Sequence, residues 1–177
     1  RLVKGYRRVK IFRNDFQAVC DSLVAVSTDS MILLYIDPVL WNQDNQITSD
    51  VMKIYTENSK LQKAEFVGRP VMSSEIDTGK LITAYFRNNK IYRNDVDGNV
   101  QTIYYMQEDD SPEPVGLMSI QSGAATYYID NNTVEGITYR NQPVYSIFPM
   151  DKIPETQALF LEDFKWEGHR RPALREV

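Results

Sequence analysis

The residues that could do chemistry are few and poorly placed for it. Asp95-Val96-Asp97-Gly98-Asn99 has the look of a calcium loop. An EF-hand with its glycine at Gly98 would require a carboxylate where the chain has Arg93 and a glutamate where it has Tyr104. Asp97-Gly98 between Val96 and Val100 reads instead as a type I′ hairpin turn. Cys20 is the sole cysteine and His169 the sole histidine, so neither a disulfide framework nor a multi-cysteine zinc site can form. Cys20 lies on an apolar strand face with no histidine near it in sequence, the setting of a buried structural thiol rather than a nucleophile. His169 sits in a polar C-terminal stretch where a solvated ring is the default. Asp109-Asp110 are adjacent acids in a proline-containing loop, whereas glycosidase carboxylates must face each other across a cleft. No nucleophile elbow, phosphate loop or dinucleotide fingerprint occurs. Arg7, Arg8, Lys10 and Arg13 could meet phosphates, but alternation splits them over two strand faces, which suits the guarding of a sheet edge. These residues predict a protein without catalysis, metal or cofactor.

The elements that carry these residues are strands. The chain has 177 residues, 42% of them hydrophobic and 25% charged, enough for one domain with a real core. A net charge of −4 argues against nucleic acid, whose binding draws on phosphate neutralisation. Apolar runs such as Met31–Ile36 fall far short of the ~20 residues of a membrane helix. The chain opens on Arg1 with neither Met nor leader, which reads as a fragment or a processed protein. Eleven tyrosines, seven phenylalanines and period-two runs over Phe16–Val26, Asp50–Tyr55 and Leu81–Phe86 predict half-buried strands.

Turns organise the strands into repeats. Thr28-Asp29-Ser30, Asn58-Ser59, Asn88-Asn89 and Asn131-Asn132 punctuate them, with Asn and Asp suited to positive φ. Positions 29, 58 and 88 are 29 and 30 apart, and the longer step to 131 accommodates an exposed acidic loop, Glu108–Pro114. Ile11-Phe12-Arg13-Asn14-Asp15 is echoed by Ile91-Tyr92-Arg93-Asn94-Asp95, and Ile47 to Pro70 by Ile120 to Pro143. A unit of strand, Asn turn, strand, Pro turn is therefore stacked along residues 1–150. Residues 151–177 form an extension: a short helical turn over Asp151–Gln157, an extended segment over Leu159–Trp166, and a polar tail over Gly168–Val177.

Several stretches resemble the OstA-like (organic solvent tolerance) family, relatives of the periplasmic lipopolysaccharide-transport protein LptA of Gram-negative bacteria. They are Phe16-Gln17-Ala18-Val19-Cys20-Asp21-Ser22-Leu23, Asp37-Pro38-Val39-Leu40-Trp41 and Asn45-Gln46-Ile47-Thr48-Ser49-Asp50, with Tyr85–Asn89, Val96–Asn99 and Ile153-Pro154…Phe164-Lys165-Trp166 later on. The resemblance covers roughly 9 to 166. Where this chain runs directly from Asp77-Thr78 to Gly79-Lys80, the family usually carries a short extra segment.

The resemblance implies an all-β fold of stacked antiparallel hairpins, an open β-jellyroll or β-taco half-barrel. It also implies a periplasmic, non-enzymatic module for outer-membrane biogenesis that binds lipopolysaccharide or another acylated lipid and joins similar modules edge to edge. Alternation offers Phe16, Ala18, Cys20, Val24, Leu34, Met52, Ile54, Phe66, Phe86, Tyr128 and Ile137 as the inner face that would shield acyl chains. Arg7, Arg8, Lys10 and Arg13 are the headgroup or edge contacts, and Val9–Phe12 and Val144–Phe148 the joining edges. The alternative is a structural interaction module with a filled core and no lipid. An inward apolar stripe is compatible with both.

Overall fold

Pairs of residues with left-handed backbone shape this chain, and they come in two kinds. The first kind makes hairpin tips. Asn58-Ser59, Asn88-Asn89 and Asn131-Asn132 all have both φ values between 46° and 66°, as a type I′ turn requires. The second kind lies along a crease, where strands bend from one sheet into another. Here stand Arg7-Arg8, Ile36-Asp37, Gly68-Arg69, Gly98-Asn99 and Asn141-Gln142, again all at positive φ.

The computed structural model describes residues 2–28, 30–73, 77–161 and 163–174, with the main chain alone at residue 77. Its strands are β1 Leu2–Phe12, β2 Gln17–Val26, β3 Met31–Tyr35, β4 Val39–Asn42, β5 Asn45–Thr48, β6 Val51–Glu57 and β7 Lys60–Val67. They continue with β8 Val71–Met72, β9 Asp77–Thr78, β10 Leu81–Arg87, β11 Lys90–Gln107, β12 Pro114–Asp130, β13 Thr133–Arg140 and β14 Val144–Pro149. Every pairing is antiparallel. The expected all-β jellyroll of stacked hairpins is the observed fold.

The crease divides one continuous hydrogen-bonded surface into two facing sheets. In the first, β3, β6, β7 and β10 lie between β2 and β11, followed by β12 and β13. In the second, β4, β5, β8 and β9 lie between the other halves of β2 and β11, followed by β12 and β14. The long strands β2, β11 and β12 cross the crease and belong to both, as does β1, which pairs with β2 on either side of a bulge between Tyr6 and Val9. Main-chain bonds staple the crease: Asp21 N–H to Ile36 O at 3.0 Å, Asp50 N–H to Gly68 O at 2.9 Å, Lys80 N–H to Asp97 O at 2.8 Å and Gly123 N–H to Asn141 O at 3.1 Å. Gly98 thus bends a single strand, β11, rather than closing the hairpin that Asp97-Gly98 suggests in the sequence.

The repeat is visible in its irregularities. Each of the hairpins β6–β7, β10–β11 and β12–β13 carries a register shift at the same distance from its tip, after Tyr55, Tyr85 and Tyr128. Neighbouring tips are tied together, with Leu61 N–H donating to Asn89 Oδ1 at 3.0 Å and Lys90 Nζ to Asn131 Oδ1 at 3.3 Å. The echoed Arg-Asn-Asp triplets make the same side-chain fork. Arg13 Nε and Nη2 donate to Asp15 at 2.9 and 3.0 Å, and Arg93 Nε and Nη2 to Asp95 at 2.9 and 2.6 Å. Asp29 of the first turn lies outside the described residues.

The C-terminal extension begins with a 3-10 turn at Met150–Lys152 and carries a second at Gly168–Arg170. No strand forms over its described residues; they lie against the outer face of the second sheet. Leu161 is buried with Val71, Ile103 and Leu117, and Phe164 and Ile153 pack on the same cluster. Gln46 is the anchor further along. Its side chain accepts from Trp41 Nε1 at 3.2 Å and from Glu167 N–H at 2.7 Å, and donates to Lys165 O at 2.7 Å. The stretch expected as a solvated tail is held too, since Arg171 donates to Gln17 Oε1 at 2.6 and 2.8 Å and to Gln43 O at 2.8 Å. Residues 175–177 of that tail lie outside the described residues.

Candidate functional site

Between the two sheets lies one apolar cluster. Phe16, Ala18, Cys20, Leu34, Met52, Ile54, Phe66 and Phe86 all belong to it, none more than 5% exposed, and Ile137 packs against it from β13. These expected inner-face residues do share one interior, but it is filled by their own side chains. Leu40, Ile47, Ile82, Ala84, Val96 and Val100 complete the packing from the opposite sheet and from β10–β11. Cys20 is buried within it, and burial pushes its thiol pKa up from 9.0 to about 11, the state of an inert sulfhydryl.

Two of the expected residues face outward instead. Val24 pairs with Leu33 and Lys4, while its neighbour Leu23 packs on the core opposite Leu34. Tyr128 is 48% exposed, and Tyr127 takes the inner position. The cause is the crease. Where a strand turns on two residues, as β11 does on Gly98-Asn99, the alternation of faces survives. β2 and β12 turn on single residues, Asp21 and Gly123, so everything beyond them flips.

The interior opens at its β13 end. Near β1 the sheets are joined at their tips, where Arg13 Nη2 donates to Ser59 O at 2.9 Å. Toward the last tips a pocket of about 230 Å³ enters between the sheets, lined by Tyr104 and Met118 below and by Val134, Ile137 and Tyr139 above. Tyr104 is 36% exposed. Its wall includes a triangle of hydroxyls: Thr102 Oγ1 lies 2.9 Å from Tyr127 Oη, Tyr139 Oη donates to Thr102 Oγ1 at 3.2 Å, and the two tyrosine oxygens are 3.4 Å apart. Glu135 stands at the rim. Of the expected residues only Ile137 lines this mouth. Tyr104, Met118, Val134 and Tyr139 were legible in part: the even-numbered alternation of Val96, Val100 and Thr102 runs on to Tyr104.

The basic residues do not act together. Arg13 is held by Asp15 and Ser59, and its guanidinium lies 5.3 Å from the Phe16 ring centre. Arg7 and Arg8 form the crease doublet of β1, between Tyr6 and Val9, so the two stand at the bend itself. Arg8 and Lys10 line a hollow of about 320 Å³ with His169 and Arg170, at the β1 end of the molecule. The outer face of the first sheet is polar and internally paired. Glu65 lies 2.7 Å from Lys63 Nζ and accepts from Tyr55 Oη at 3.2 Å, and the Lys63 hydrogen bond lowers its carboxyl pKa.

Neither a family model nor a curated protein matches the sequence. A solved structure does match in three dimensions, with a TM-score of 0.53 over 76% of this chain and 95% of the other. It is that of LptH from Pseudomonas aeruginosa, described as the LptA-homologous periplasmic component of the conserved lipopolysaccharide transport device. The chain has an LptA-like β-jellyroll. Sequence identity is 11%, so the likeness is one of fold. The fold implied by the OstA-like resemblance and the observed fold agree. Among the described residues β1 pairs with β2 alone and β13 and β14 pair with β12 alone, so that the stack ends in strands with an unpaired side at both ends.

Proposed function

We propose that this chain is a periplasmic, non-enzymatic lipid-binding module of lipopolysaccharide transport in a Gram-negative cell. The apolar mouth between β13 and β11–β12 carries this reading. The fold shared with LptH, a transport component rather than an enzyme, supports it. An acyl chain entering the mouth would lie against Tyr104, Met118, Val134 and Ile137, beside the mutually bonded hydroxyls of Thr102 and Tyr139. A pocket of this size shelters the end of one chain. About five methylenes at ~0.8 kcal/mol each give roughly 4 kcal/mol, a millimolar holder on its own. Such weak grip suits a carrier that passes its cargo on, and tighter shielding would come from a neighbouring module continuing the trough. The free sides of β1 and of β13–β14 are where modules would join by strand addition. Arg8 and Lys10, at the β1 end and far from the mouth in strand order, then serve the joint rather than the headgroup.

The filled interior favours a second reading, a structural interaction module without lipid. Native mass spectrometry of the purified protein separates the two. Co-purifying acylated lipid that disappears in Tyr104→Asp, with the β circular dichroism retained, is the expected result. A wild-type protein that carries no lipid and takes up a fluorescent lipid A analogue no better than Tyr104→Asp would leave only the structural module.

A further inference from the structure

A wide polar hollow of this jellyroll lies outside the trough. Gln101 and Gln121 sit directly opposite each other on β11 and β12, on the outer face of the second sheet. Two depressions meet at this pair. One, of about 470 Å³, runs to the crease amides Asn99, Asn141 and Gln142. The other, of about 310 Å³, runs under the C-terminal extension to Thr156, Gln157 and Phe160. Neither is lined by a single charged residue, although 25% of the chain is charged. The first charges, Arg69 and Asp163, come in a smaller hollow of about 150 Å³ that adjoins at Gln101 and Leu161.

Such a surface selects by what it lacks. A phosphate, carboxylate or ammonium ligand would lose hydration here with no counter-charge to compensate. An apolar ligand would strip water from the amides for nothing in return. Each amide presents two N–H donors beside a carbonyl acceptor, the complement of neighbouring hydroxyl groups that both donate and accept. Among the described residues, Gln101 and Gln121 spend none of this capacity on side-chain bonds within the protein. Phe160 holds its ring 64% exposed at one end of the groove, a platform for the C–H face of a pyranose.

We propose that this groove binds a neutral oligosaccharide, laid along the Gln101–Gln121 pair with one ring stacked on Phe160. The site is independent of the lipid mouth, which opens between the sheets. The experiment applies the full chain to an array of neutral hexose and N-acetylhexosamine oligomers beside sulfated and sialylated ones. Retention of neutral oligomers is expected, with at least tenfold loss in Gln101→Ala/Gln121→Ala, a smaller loss in Phe160→Ala, and none in Tyr104→Asp. The three groove side chains are exposed, so the variants should keep the wild-type thermal midpoint, which is measured in parallel. The same neutral glycan presented on a lipid in micelles tells a glycolipid source from a free glycan, since only the former gains affinity. Failure to retain any neutral oligomer, preference for the acidic ones, or unchanged binding by the double glutamine variant overturns the proposal.

Discussion

Asp50 and Gly68 lock the crease from both sides. The Asp50 N–H donates to the Gly68 carbonyl at 2.9 Å, and a Cβ on Gly68 would lie 2.5 Å from Asp50 Oδ2. Gly68 also holds φ at +75°, a region that costs other L-residues about 1–2 kcal/mol. Gly68→Ala should therefore lower the unfolding free energy by about 2–3 kcal/mol in urea titration. In the Asp50→Ala background the loss should shrink toward the backbone part alone. Equal losses in both backgrounds would show that the close approach contributes nothing.

Ile36 presents the opposite case. It occupies φ +60° at the crease, a backbone state that β-branched residues avoid, and its side chain is 61% exposed. Nothing buried is lost by replacing it. Ile36→Asn should raise stability by about 1 kcal/mol, read as a higher urea midpoint at unchanged slope. A lower midpoint would mean that the exposed isoleucine makes a contact worth more than its strain.

The sequence was most legible where local chemistry decides structure. Asn58-Ser59, Asn88-Asn89 and Asn131-Asn132 announce left-handed tips because few other residues tolerate them, and the repeat follows from their spacing. Alternation then finds Phe16, Leu34, Ile54 and Phe66. It fails at Val24 and Tyr128, since nothing local marks whether a strand crosses the crease on one residue or two; only Asp21 bonding to Ile36, or Gly123 to Asn141, decides it. The docked extension was illegible for a related reason. Gln46 and Arg171 look like surface residues until the strands bring Trp41 and Gln17 to them.

Gln46 makes that docking testable. It is 2% exposed, and Gln46→Leu would leave the Trp41 indole N–H and the Glu167 amide without their shared acceptor. Leaving buried donors unpaired costs about 1–3 kcal/mol each, less where water can enter. A loss of about 2–3 kcal/mol is expected. Hydrogen exchange should quicken over residues 163–174 while the β6–β7 amides hold theirs. Uniform quickening across both would indicate that the extension and the sheets unfold as one unit.

Cys20 supplies the pH test. Burial raises its thiol pKa from 9.0 to about 11, so the folded protein binds the proton more tightly than the unfolded chain. The stabilisation is fully present below pH 9 and is lost as the pH climbs through about 11. Stability measured against Cys20→Ala, which cancels the titration of lysines and tyrosines, should therefore fall over that window and be flat below it. At pH 8 an aromatic disulfide reagent should leave the native thiol untouched and react with it fully in urea. Rapid native labelling at pH 8 would mean that the interior around Phe16, Leu34 and Cys20 opens to solvent far more readily than its packing implies.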